Sequence, residues 1–209
     1  MTRLEFRSRI FACLLAALAG FVDAVGFIRS GGFFVSFMSG NSTRLGVGIV
    51  QRLHDALLAA GLVISFVIGV ILGSLIGNAG GRHRGVVVLT WIAALLALAA
   101  YLDSHNYMLG ALGVRALGMG AVNTVFERGG EVRFGITYVT GGLVRAGTGI
   151  ASNILGQTDR EWPAYLLLWA FFVSGTIAGA LAYGPPPNQT LAAAAVAAFL
   201  LALASVRLK

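Results

Sequence analysis

The sequence predicts an all-α polytopic membrane protein built from two inverted repeats, each with three transmembrane helices and one re-entrant, broken polar helix. Three observations carry that prediction. The first is composition: of 209 residues, 57% are hydrophobic and only 11% are charged. Soluble domains carry about 25% charged residues, so this chain has too little charge to coat a water-facing surface. The second is an internal repeat. Phe37-Met38-Ser39-Gly40-Asn41-Ser42-Thr43-Arg44-Leu45-Gly46-Val47-Gly48-Ile49 returns as Tyr138-Val139-Thr140-Gly141-Gly142-Leu143-Val144-Arg145-Ala146-Gly147-Thr148-Gly149-Ile150. Both read aromatic, x, hydroxyl, Gly, three variable residues, Arg, x, Gly, x, Gly, Ile. The third is the placement of basic residues in short loops, which selects six spans over eight.

The elements follow in order. Span one runs from about Ile10 to Ile28, with Asp23 inside it. The Arg3, Arg7, Arg9 start and the small residues Ala17 and Ala19 resemble a signal peptide. The apolar run continues through Phe21, Val22 and Val25, which predicts an uncleaved span. Arg29-Ser30-Gly31-Gly32 breaks it, and the first polar segment covers Phe33 to Val50. After the turn Gln51–Asp55, span two runs from Ala56 to Gly77. A basic loop, Gly80–Gly85, leads to span three, Val86 to Leu102. The short loop Asp103–Asn106 precedes span four, Tyr107 to Phe126, which contains Arg115 and Asn123. A charged loop, Glu127–Arg133, leads into the second polar segment, Phe134 to Gly156. Span five is Trp162 to Tyr183. The stiff connection Gly184-Pro185-Pro186-Pro187-Asn188 precedes span six, Thr190 to Val206. The whole is one membrane domain, residues 1–209, with repeat one at 10–102 and repeat two at 107–206.

The repeat extends into the spans. Gly20-x-Val22-Asp23-x-Val25 matches Gly120-x-Val122-Asn123-x-Val125, and Phe66-Val67-x-Gly69-x-Ile71-x-Gly73-x-Leu75 matches Phe172-Val173-x-Gly175-x-Ile177-x-Gly179-x-Leu181. Three matches in one order predict internal duplication. If both polar segments span, each repeat crosses four times and the halves are parallel. If both are re-entrant, each crosses three times and the halves are inverted. With Arg3, Arg7 and Arg9 cytoplasmic, the six-span reading also places Arg82, Arg84, Arg128, Arg133, Arg160, Arg207 and Lys209 inside, as the positive-inside rule requires. The Asp103 and Pro185 loops then lie outside.

The polar segments carry the candidate chemistry. Ser39-Gly40-Asn41 and Thr140-Gly141-Gly142 read as a break followed by a helix start, with hydroxyl or amide N-caps and a glycine turn. Arg44 and Arg145, with Thr43 beside the first, then fall near the first turn of short helices. Free N–H groups plus an arginine make an anion site or a barrier to cations. The bland alternative is that each arginine locks the two halves together. Asp23 and Asn123 are repeat partners. A carboxylate inside a span is a proton or cation site by default; the alternative is an ion pair with Arg115, Arg44 or Arg145. Arg115 has Leu15 as its counterpart, so such a pair would break the symmetry. Gly69, Gly73, Gly77 and Gly175, Gly179 form small-residue packing faces, used within the monomer or between subunits.

Other classes are excluded or disfavoured. The net charge of +7 follows membrane topology, so nucleic acid is not expected. His54, His83 and His105 share no metal spacing, and Cys13 is the only cysteine. No nucleophile–base set or phosphate loop is visible, so neither an enzyme nor a cofactor is expected. The lipid bilayer is the expected partner, with homo-oligomerisation left open.

At Gly20-Phe21-Val22-Asp23-Ala24-Val25-Gly26-Phe27 and Phe37-Met38-Ser39-Gly40-Asn41 the chain resembles the YoaK-type bacterial membrane family, a domain-of-unknown-function group. Gly120-x-x-Asn123 and Thr140-Gly141 extend the resemblance over nearly the whole chain. It implies six spans in the bacterial inner membrane and brings no established activity. Gly142 stands where the first copy has Asn41, which argues against a role needing an amide in both halves. The resulting expectation is a small-solute transporter or channel favouring an anion or weak acid, with both termini cytoplasmic. The alternative is a non-transporting membrane scaffold.

Overall fold

The computed structural model describes residues 6–128, 131–132, 135–184 and 187–206. Arg3, Arg133, Pro185, Pro186, Arg207 and Lys209, which enter the topology argument, lie outside them. Among the described residues eight α-helices follow one another: α1 (Phe6–Ser30), α2 (Met38–Gln51), α3 (Leu53–Gly80), α4 (Arg84–Ser104), α5 (Met108–Val122), α6 (Val139–Ile154), α7 (Trp162–Ala182) and α8 (Pro187–Ser205). A single 3₁₀ turn, Gly81–His83, separates α3 from α4. The charged loop after α5 holds a small antiparallel ribbon, β1 (Glu127–Arg128) with β2 (Glu131–Val132).

Helix ends follow from residues that cannot continue a helix. α1 stops at Gly31 and Gly32, whose φ angles of 71° and 118° only glycine adopts readily. The Gly32 N–H returns to the Phe27 carbonyl at 2.8 Å. Gly81, at φ 49°, ends α3 in the same way. α5 is shorter than expected: regular helix stops at Val122 and gives way to turns through Phe126. The connection before α8 is also shorter, since that helix already begins at Pro187.

Among the described residues four stretches are long and apolar enough to cross a membrane: Arg7–Ser30, Leu53–Ser104, Trp162–Ala182 and Asn188–Ser205. The second contains both α3 and α4. Met108–Val122, most of span four, is a shorter apolar helix. α2, with 14 residues, is about 21 Å long at 1.5 Å per residue. That is less than the roughly 30 Å hydrocarbon layer.

Packing between the repeats is reciprocal. The first helix of each repeat lies on the third helix of the other, α1 on α7 and α5 on α3. The fourth helices, α4 and α8, pack on each other, and α1 touches α5. Glycines set the approach. A Cβ added at Gly175 would lie 2.7 Å from Ala17 Cα, and one at Gly69 2.9 Å from Leu117 Cα. One at Gly179 would lie 3.0 Å from Phe21 Cα, and one at Gly73 3.0 Å from Ala121 Cα. Gly20 faces Phe172 and Thr176, just as Gly120 faces Phe66 and Val70. These pairs carry the two sequence matches, so the duplicated glycine faces serve packing within the monomer. Gly77 departs from the stripe and faces the Arg84 side chain instead. The buried core runs through α1, α4 and α5, with Leu15, Val22, Leu89, Ile92, Leu96, Leu112 and Met119 fully enclosed.

Candidate functional site

Between α1 and α2 the chain leaves helix at Gly31 and re-enters it at Met38. Backbone amides here lack helical partners, and four consecutive ones are satisfied by side chains. The Phe33 N–H donates to Ser30 Oγ at 2.9 Å. The Phe34 N–H donates to Asn41 Oδ1 at 3.1 Å, and Asn41 Nδ2 returns a bond to the Phe34 carbonyl at 2.6 Å. The Val35 and Ser36 N–H groups both donate to Asp23 Oδ1 at 2.8 Å. A buried amide must find an acceptor, and a carboxylate oxygen serves two at once. Asp23 lies seven residues before the end of α1, about 10 Å down its axis. The segment therefore folds back along α1 before α2 begins.

The second repeat has the same device in neutral form. The Thr137 N–H, equivalent to that of Ser36, donates to Asn123 Oδ1 at 3.1 Å. Asn123 Nδ2 donates to the Met119 carbonyl at 3.2 Å. The repeat-conserved glycines also act alike. A Cβ at Gly40 would lie 2.8 Å from the Phe37 ring, and one at Gly141 would run into the Tyr138 ring. α2 and α6 thus each start with the preceding aromatic folded over a glycine.

Several expectations are corrected at this point. The helices are not capped by Ser39, Asn41 or Thr140. The N-cap positions are Phe37 and Tyr138, with no side-chain cap, and the polar residues lie inside the helices. Ser42 and Thr43 donate to the Met38 and Ser39 carbonyls one turn back. Asn41 is used for the fold-back, and Gly142 offers no such group in the second copy. Arg44 and Arg145 are each the seventh residue of their helix, about one turn beyond the last free amide. The Arg44 guanidinium stacks 4.6 Å over the Phe33 ring and passes close to Gly32. Arg145 is exposed. α2 packs on α3 and α6 on α7, so each arginine-bearing helix lies against the next helix of its own repeat. The helices that meet their own repeat partners are α4 with α8 and α1 with α5. Asp23 pairs with none of Arg115, Arg44 and Arg145 among the described residues. It borders an open groove of about 330 Å³ with Ala24, Phe27, Ile28, Phe34, Thr176 and Ala180.

Two charged clusters pin the ends of α4; of their members only Arg115 was expected as a site residue. At its C-terminal end, Asp103 is buried, not in a solvated loop. It accepts Arg115 Nη2 at 2.6 Å and Arg29 Nε at 3.1 Å. The Arg115 and Asp103 side chains are both 0% exposed. At the N-terminal end, Arg84 pairs with Glu127 at 2.7 Å and donates to the Thr124 carbonyl and Asn78 Oδ1. Ser74 Oγ donates to the other Glu127 oxygen. The missed signal was Arg115 itself. A buried guanidinium demands a carboxylate, and Asp103 and Glu127, each 12 residues away, are the nearest acids in sequence. Among the described residues no group of three His, Cys, Asp or Glu is placed to hold a metal.

Comparison with known proteins extends across the chain. The family described as "Protein of unknown function (DUF1275)" matches residues 11–204. A protein of Rhizobium meliloti (strain 1021) described as a UPF0700 transmembrane protein is 36% identical over 218 aligned residues, which cover 97% of this chain and 89% of that protein. No solved structure matches the chain.

Proposed function

The chain belongs to the DUF1275 family of membrane proteins of unknown function, and on that premise we propose that it is a small-solute transporter or channel of the bacterial inner membrane. One observation carries the reading: both repeats break a helix at equivalent places and hold the non-helical backbone with a buried polar side chain, Asp23 or Asn123. Irregular backbone at membrane depth is tolerated only when it is buried in protein or lines a water-filled path. Broken helices in corresponding halves are the usual site of solute passage in inverted-repeat transporters.

The inverted arrangement has its own support. Phe11, near the start of α1, meets Phe126, just past the end of α5, with ring centroids 6.1 Å apart. Arg29, at the end of α1, shares Asp103 with Arg115 of α5. These contacts support opposite directions for the two first helices. α2 packs back on α3, as a re-entrant helix would. Six crossings then keep both termini cytoplasmic. Arg44 and Arg145 at matched positions favour an anion or weak acid, and Asp23, the one acidic clamp of the pair, is the candidate coupling group. The test is flux of radiolabelled small anions and weak acids into proteoliposomes. Flux is expected to fall in Arg44→Ala and Arg145→Ala; flux unchanged by both removes the anion role.

A second reading has a specific observation in its favour. Asp23 is occupied by two backbone amides and Arg44 by an aromatic ring, as they would be in a membrane scaffold. On that reading the substitutions lower thermal stability and no solute flux is found for any variant.

A further inference from the structure

We propose that the Arg29–Asp103–Arg115 cluster is a binding site for one small monovalent anion, with chloride as its simplest occupant. The cluster holds two guanidinium groups and one carboxylate, a net charge of +1. Asp103 is shared, with one oxygen to each arginine. Arg115 is 0% exposed, and its Nε and Nη1 are buried without a hydrogen-bond partner. Val25, Ala99, Ala100 and Leu191 form a buried apolar cluster on the same helices, with Val114 and Tyr183 packed against it, and among the described residues Asp103 is the carboxylate paired with Arg115.

Two deficits therefore meet in the cluster: unsatisfied N–H donors on the enclosed Arg115 and the excess positive charge that the half-buried Arg29 adds to the Arg115–Asp103 pair. Each is costly alone. A water molecule would accept from the donors but leave the charge. A small anion removes both. The guanidinium presents several donors in a fixed plane, which suits a spherical or flat monovalent ion. Access lies beside Arg29, whose side chain is 26% exposed. A lipid phosphate could reach Arg29 from there, but Arg115 is enclosed, which selects a free ion over a headgroup. The repeat explains why there is one such site: the position equivalent to Arg115 is Leu15, which is fully buried in the apolar core. Binding here stands whether or not the protein moves a solute.

The experiment is thermal unfolding of delipidated protein in neutral detergent, with sodium chloride exchanged for sodium gluconate at fixed ionic strength. Gluconate is too bulky to enter. The unfolding midpoint is expected to rise by about 5 °C as chloride goes from about 1 to about 300 mM, the linkage expected for a site of millimolar affinity. Arg29→Gln removes the excess charge and keeps the buried Arg115–Asp103 pair, so the chloride response should vanish. Arg29→Lys should restore it. Coincident chloride and gluconate curves for the native protein would overturn the proposal. So would a full response in Arg29→Gln, or stabilisation by anionic lipid and not by chloride. Absent flux with an intact chloride response would count against transport and leave this site standing.

Discussion

Adding one methyl group at Gly69 or Gly175 tests the reciprocal packing directly. At Gly175 the new Cβ would lie 2.7 Å from Ala17 Cα and closer still to its carbonyl. At Gly69 it would lie 2.9 Å from Leu117 Cα, again with the carbonyl nearer. Carbon atoms pack at about 3.5–4.0 Å, so α1 must move from α7, or α5 from α3, by roughly 1 Å. The obstacle is backbone, which cannot rotate aside. Overpacking costs about 1–3 kcal/mol, and more when relief is blocked. Alanine returns about 1 kcal/mol of helix propensity. The net expectation is a loss of about 2 kcal/mol for each variant, or a midpoint lowered by about 4–8 °C in a chain of this size. Gly61→Ala, on an exposed face of α3 with open space around it, is the matched control and should not lower the midpoint. Thermal unfolding in detergent reads all three. If Gly69→Ala and Gly175→Ala both melt with the Gly61→Ala control, the close helix approach is wrong. If only one of them falls, the two interfaces are not equivalent.

Other expectations follow from the same contacts. Asp23→Asn retains an acceptor for the Val35 and Ser36 amides and should fold, whereas Asp23→Leu strands both and should lose about 2–4 kcal/mol; the difference in unfolding midpoint checks it. Asp103→Leu leaves Arg115 buried without its carboxylate and should cost about 3–5 kcal/mol, seen as a large drop in midpoint or failure to purify as a monodisperse species. Arg84→Met strands the buried Glu127 in the same way and should cost about 3 kcal/mol; an Arg84→Met/Glu127→Gln double variant should recover part of that loss in the same melt. With Cys13 replaced, single cysteines at Gln51 and His83 should label from opposite sides of the membrane, position 51 outside and 83 inside. The reverse assignment would make the halves parallel.

Much of the fold was legible because it is written locally and twice. Long apolar runs declare helices by composition, and glycine pairs such as Gly31-Gly32 mark their ends. The matched Gly20/Gly120 and Gly69/Gly175 segments declare two copies of one unit. The likeness of Asp23 and Asn123 was also plain in the sequence, since a repeat shift lines them up. Their role was not. A polar side chain inside a span must find partners, but whether those are arginines or backbone amides depends on where the chain folds back, and only the Gly31–Phe37 loop decides that. The placement of Arg44 and Arg145 was misjudged for a related reason: a Ser-Gly-Asn run resembles a cap, yet the aromatic folded over Gly40 lets the helix begin earlier. Asp103, Arg29, Arg84 and Glu127 were read as loop charges because they lie beside turns. Their pairing spans 74 residues in the case of Arg29 and Asp103. Sequence by itself determined the membrane class, the duplication and the small-residue faces, all properties of short segments. Tertiary structure alone decided which helix faces which copy and where each buried charge finds its counter-charge, because those depend on distances between segments that no local pattern encodes.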